Sequence, residues 1–147
     1  VAWFLRACVG AGGRELANTP GVVLLARFIA DLSLLDADLQ EFPAALRAQV
    51  DLLLALHAMT PPEAALRLWL PVQRATCGGN EPKLASMCLA RTSYVLRTKR
   101  DQWSARGLHA VESRHPEAAR QPLTLRNLPE SLVEALLPVG SAVTVEL

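Results

Sequence analysis

Three cysteines, Cys8, Cys77 and Cys88, and three histidines, His57, His109 and His115, supply the atom types of a zinc site. Zinc takes such ligands in closely spaced pairs, because one turn must present two of them to the same ion. No two of the cysteines stand at such a spacing and no C-x-x-C occurs, so the thiols read as packed side chains. No metal and no cofactor is expected. Gly10-Ala11-Gly12-Gly13 has the glycines of a phosphate-cradling loop, but it lacks the Lys-Ser/Thr of one and follows a helical rather than a strand pattern. It reads as a helix stop. Neither G-x-S-x-G nor H-E-x-x-H is present, and no nucleophile has a base at a recognisable spacing, so the chain is not expected to be an enzyme.

Charge carries more information than the cysteines do. The chain is close to balance, with 15 basic against 14 acidic residues, so no net field would hold a polyanion or an anionic membrane. The distribution is nevertheless uneven. Residues 31 to 63 hold Asp31, Asp36, Asp38, Glu41, Asp51 and Glu63 against Arg47 alone. Residues 91 to 106 reverse the sign, with Arg91, Arg97, Lys99, Arg100 and Arg106 against Asp101 alone. Arg97, Lys99 and Arg100, with Tyr94 and Trp103 among them, are the candidate contacts for phosphate or an acidic partner, and Arg97-Thr98-Lys99-Arg100 would suit nuclear import. Cations near a helix C-terminus also complement its dipole, and a solvated basic face is the plainer reading.

Elements that could hold these residues follow from composition and periodicity. A chain of 147 residues is the size of one domain, and 27 leucines with 23 alanines favour helices over strands. At 51% hydrophobic and 20% charged it is too apolar to be disordered. The charge-free run from Leu52 to Pro62 is too short to span a bilayer, which needs ~20 apolar residues. No membrane segment is expected. The odd number of cysteines suits a reducing compartment, nucleus or cytoplasm. The opening Val1-Ala2-Trp3-Phe4-Leu5 has no methionine and no signal-peptide pattern, and reads as a fragment whose upstream part is missing.

A first helix over Val1 to Val9 carries Trp3, Phe4, Ala7 and Cys8 on one side and stops at the glycines. Thr19-Pro20 then offers a hydroxyl cap and a first-turn proline, opening a second helix with Leu25, Phe28, Ile29, Leu32 and Leu35 in one stripe. Pro43 opens a third, with Leu46, Val50, Leu53 and Leu54 repeating to about His57, where Thr60-Pro61-Pro62 stops it. A shorter helix from Glu63 to Trp69 is expected to end at Pro71. Asn80 and Pro82 start a fourth long helix, which should bury Leu84, Met87, Cys88 and Val95. Ala105 to Arg114, with Leu108 and Val111, is a fifth. Four prolines from 116 onward leave room for one short turn of helix between Pro129 and Leu137, and Ala142 to Leu147 reads as a loose terminus.

Over Leu24 to Leu56 the sequence LLARFIADLSLLDADLQEFPAALRAQVDLLLAL resembles the second helical repeat of the cyclins, the mitotic A/B type above all. Leu24-Leu25-Ala26-Arg27-Phe28-Ile29 and Asp31-Leu32-Ser33-Leu34-Leu35-Asp36 are similar to the family's second helix with its E-L-S-L-L-D run, and Phe42-Pro43 to the opening of its central helix. Phe4-Leu5-Arg6, Trp69-Leu70-Pro71, Leu84 with Cys88, and Leu108-His109-Ala110-Val111 with Arg114-His115 stand where the family's flanking motifs stand.

The resemblance implies an all-α, five-helix cyclin-like bundle, the C-terminal cyclin box fold, over residues 1–118, followed by an extension over 119–147 with a short helix. It implies a fragment of a cyclin, the non-catalytic regulatory subunit that binds and activates a cyclin-dependent kinase in cell-cycle control. The kinase would be held mainly through an N-terminal cyclin box that this chain lacks. The alternative is a cyclin-fold, nucleic-acid-binding module of the general transcription-factor type, although nucleic acid is an unlikely partner on charge. One departure stands out. Pro43-Ala44 replaces the family's Pro-Ser, and Arg47, Gln49 and Asp51 replace small residues of its central helix. Buried and unpaired, such a charge would cost several kcal/mol. Either that face is exposed, or Arg47 and Asp51 pair at i, i+4.

Overall fold

A computed structural model describes residues 1–102, 105–119 and 131–140, and these residues form helices and turns with no strand. The all-helical reading of the sequence holds. The expected loose terminus at Ala142 to Leu147 lies outside the described residues.

The chain begins with α1 (Ala2–Ala11), which buries Leu5 and Cys8, one turn apart. Trp3 and Phe4 point the other way, against expectation, packed edge to face on each other, with Trp3 65% exposed. In a helix the burying stripe is set by what lies beneath it, and here Leu5 and Cys8 are the positions that face the core. The glycines bend the chain rather than end it. Gly13 takes a positive φ of 75°, and a second short helix, α2 (Gly13–Ala17), starts at once. Leu16 is fully buried and folds back onto Gly12, where a β-carbon would collide with it. Glycine at 12 is needed for that close approach.

Pro20 opens α3 (Pro20–Ser33) as expected, but the Thr19 hydroxyl does not cap it and donates instead to the Leu16 carbonyl. Val22, Leu25, Ala26, Phe28, Ile29 and Leu32 form its buried stripe. At its end the Gln40 amide donates to the Ser33 carbonyl at 2.8 Å, satisfying an acceptor that the finished helix leaves open. Gln40 sits on a single 3-10 turn, Asp38–Glu41, that buries Leu39.

Next comes α4 (Ala44–Met59), in which Leu46 and every residue from Ala48 to Leu56 is buried. A helix buried on all sides is a core helix, and α1, α3, α5 (Pro62–Thr76) and α6 (Pro82–Gln102) all pack on it. The sequence ended α5 at Trp69, yet it runs five residues past Pro71 to Thr76. Proline removes one N–H and with it one rung of the ladder, and Arg67, the residue whose carbonyl loses that partner, is exposed to water. Ala65, Leu68, Trp69 and Val72 are buried across the proline, and their packing carries the helix through.

Then α7 (Ala105–Arg114) packs on α3 and buries Leu108 and Val111 in the core, and a single turn, α8 (Pro116–Ala119), follows on α3. The last described segment is α9 (Ser131–Glu134) with the turn after it. Leu132, Ala135, Leu136 and Leu137 join the same hydrophobic core as the long helices. Six helices of ten or more residues are present among the described residues, where the sequence suggested five long ones. The extra one is α5, lengthened across Pro71.

Candidate interaction face

Both sides of α6 are patterned. Ala85, Cys88, Leu89, Thr92, Val95 and Leu96 face the core, and the buried Thr92 and Ser93 hydroxyls satisfy themselves on the Cys88 and Leu89 carbonyls, each at 2.8 Å. Leu84 and Met87, which the sequence assigned to the core, are exposed. At 100° per residue Met87 and Tyr94 fall opposite the inward stripe, so burying Cys88 and Val95 turns them out. With Arg91 they make an outer stripe at i, i+3, i+7 and i+10, closed by Tyr94, 42% exposed.

Arg91 is the most structured residue of that stripe. Its Nε and Nη2 donate to the two oxygens of Asp36 at 2.9 and 2.8 Å, a bidentate pair, and Nη2 lies 3.4 Å from Asp38. The guanidinium also sits over the Tyr94 ring, 5.3 Å from its centroid. The Arg91 hydrogen bonds hold the Asp36 carboxyl below the usual carboxylate range and raise Arg91 in turn. Thus the first base of the basic stretch is neutralised by two acids of the acidic one, across 55 residues of sequence. Of the candidate contacts, Arg97 is exposed on α6 one turn after Tyr94. Lys99 and Arg100 continue the helix, and their side chains lie outside the described residues, as does Trp103.

The polar residues of α4 divide into three cases. Arg47 turns to the surface, donating from Nε to the Phe42 carbonyl at 3.1 Å and from Nη1 to Gln40 Oε1 at 2.9 Å. Gln49 is buried and donates to the Thr76 carbonyl at 2.9 Å, while its own oxygen accepts from Asn80 at 2.6 Å. The Asn80 amide donates also to the Leu136 carbonyl, and close by Trp69 Nε1 donates to the Ala135 carbonyl and Gln73 to the Leu137 carbonyl. Gln49 is thereby the inner end of a clasp joining α4, the end of α5 and the turn after α9. Asp51 is the third case. It is 1% exposed, its Oδ2 meets no donor among the described residues, and burial pushes its pKa well up, with Arg47 bonded to Phe42 and Gln40 instead but near enough to oppose the rise. Neither alternative suggested by the sequence, an exposed face or an Arg47–Asp51 pair, describes it.

All three cysteines are buried and free. Burial pushes the Cys8 thiol up to about 11, with Cys77 and the Thr76 side chain beside it, and the Cys88 thiol up to about 12. Such thiols are protonated at neutral pH and weakly nucleophilic. Among the described residues no three His, Cys, Asp or Glu side chains converge as metal ligands would. His115, one of the six residues with zinc-ligand atom types and part of an expected helix end, reaches Asp31 with Nε2 2.6 Å from Oδ2 and packs on Phe28 with ring centroids 5.7 Å apart. No spacing rule links residues that far apart in the chain.

No helix among the described residues is long and apolar enough to cross a membrane. No protein-family model matches the chain, and neither a curated protein nor a solved structure is significantly similar to it.

Proposed function

We propose that this chain is the C-terminal cyclin-like repeat of a kinase regulatory subunit: a non-catalytic helical scaffold that supports the binding and activation of a cyclin-dependent kinase. The observation that carries the reading is the Leu24 to Leu56 stretch. The residues resembling the cyclin second and central helices form α3 and α4, and α4 is the buried axis on which α1, α3, α5 and α6 pack, as the central helix of such a repeat would be. The role asked of the chain is shape rather than chemistry, and buried neutral thiols together with a neutralised Arg91–Asp36 pair suit a scaffold. Kinase contact falls mainly to a first repeat upstream, with the outer stripe of α6 and Arg97 as the surface this chain adds.

The test is co-purification of the full-length product with a panel of cyclin-dependent kinases beside residues 1–147 alone. The full-length product is expected to retain and activate one of them, and the 147-residue chain to bind weakly or not at all. A full-length product without a preceding helical repeat, or one that retains no kinase, ends the proposal. The nucleic-acid alternative has one base fewer than the sequence suggested, since Arg91 is engaged by Asp36 and Asp38. It predicts that alanine at Arg97, Lys99 and Arg100 lowers any DNA affinity and flattens its salt dependence, because each lost phosphate contact releases fewer counterions.

A further inference from the structure

Between the start of α1 and the second half of α3 the surface opens into a groove of about 590 Å³, floored by Leu5 and Ala30 and rimmed by Leu34, a leucine 58% exposed. That volume falls within the ~300–1,000 Å³ typical of sites that hold a small ligand or a short stretch of peptide. Three arginines stand around it, Arg6 from α1, Arg27 from α3 and Arg47 from the start of α4. Arg6 and Arg27 are exposed and have no ion-pair or hydrogen-bond partner among the described residues. Arg47 is held in place by Gln40 and the Phe42 carbonyl, so its position at the rim is fixed before anything binds. The one carboxylate lining it among the described residues, Asp31, is already engaged by His115 at 2.6 Å. Among the described residues the groove therefore combines an apolar floor with three cationic forks and no free acid. Its field contrasts with the near-neutral chain as a whole.

We infer that this groove docks an acidic peptide segment of a partner protein, one that inserts an apolar side chain between α1 and α3 and sets flanking carboxylates on Arg6, Arg27 and Arg47. Charge complementarity selects this occupant. A guanidinium fork matches a carboxylate bidentately, whereas a basic segment would meet three like charges and a purely apolar one would leave the arginines partly desolvated without partners. A nucleic-acid strand would satisfy the arginines but has no side chain for the leucine-lined floor. The inference is independent of the kinase reading, since it rests on the groove alone.

The experiment is selection of a displayed library of random twelve-residue peptides on the immobilised 147-residue chain, followed by fluorescence anisotropy with the enriched sequences. Enriched peptides should carry two or more Asp or Glu around a single large apolar residue, and bind less tightly as salt rises. Charge reversal at Arg6→Glu with Arg27→Glu should weaken them by about tenfold or more, while the same reversal at Arg74, exposed on α5 and away from the groove, leaves them unchanged. Because a double reversal beside Asp31 perturbs the fold more than a neutral change, Arg27→Gln is measured in parallel, with circular dichroism to verify folding, and should weaken binding severalfold. No enrichment, enrichment without acidic bias, binding indifferent to Arg27→Gln and to the double reversal, or competition by a single-stranded oligonucleotide at equal concentration would each overturn it.

Discussion

Asp51 has a carboxyl oxygen in the centre of the domain with no donor to accept from among the described residues. Burial raises its pKa, so the folded chain holds that proton more tightly than the unfolded chain does. By linkage its contribution is complete below the unfolded carboxyl value near ~4 and is lost as pH rises toward the folded value. Asp51→Ala removes both the orphan oxygen and a poor helix former, and should stabilise the chain by about 1–2 kcal/mol near neutral pH. The gain should shrink as pH falls toward ~4, where the unfolded carboxyl is protonated too. Denaturant unfolding at several pH values measures this, and a variant less stable than the parent at neutral pH would show that Asp51 has a partner. The cysteines make a second prediction at this scale. Because Cys8, Cys77 and Cys88 are buried with raised or neutral thiols, Ellman's reagent should find none of them in the native chain, and all three after unfolding in guanidinium.

Between elements, the Arg91–Asp36 pair fastens α6 to the turn that follows α3, and its pH signature has the opposite sign to that of Asp51. Asp36 is buried with its pKa lowered, so the stability it gives is present above the unfolded value near ~4 and fades as pH falls below it. Arg91→Met keeps the apolar stem over Tyr94 but strands the carboxylate, and should cost about 2–3 kcal/mol at neutral pH, the difference closing in acid. The sequence announced both charges of this pair as blocks of opposite sign, but nothing local matched Arg91 to Asp36 rather than leaving both solvated. The same limit applies to the ends of elements. Pro20, Pro43 and Pro82 fall at helix starts because a missing N–H is harmless there. Pro71 does not stop α5, because its cost is local whereas the compensation, Trp69 and Val72 in the core, is tertiary.

At the scale of the molecule, one core runs through the long helices and the segment after α9, with Leu136 fully buried and its carbonyl held by Asn80. Leu136→Ala should therefore lower the stability of the whole domain by about 2–4 kcal/mol in a single transition, read by thermal or denaturant melts. A melt unmoved by that change would mean that residues 131–140 hang on the domain without supporting it. The sequence by itself determined the helical class, the α3 stripe, and the most apolar helix, which became the axis of the fold. These are readings of a 3.6-residue period and of glycine and proline, properties a chain carries within one or two turns. Tertiary structure alone decided that Trp3, Phe4, Leu84 and Met87 face out, that Gln49 has a partner while Asp51 Oδ2 has none among the described residues, and that three arginines meet around an apolar groove. Periodicity fixes which residues share a face of a helix, but which face is covered depends on neighbours that arrive from tens of residues away.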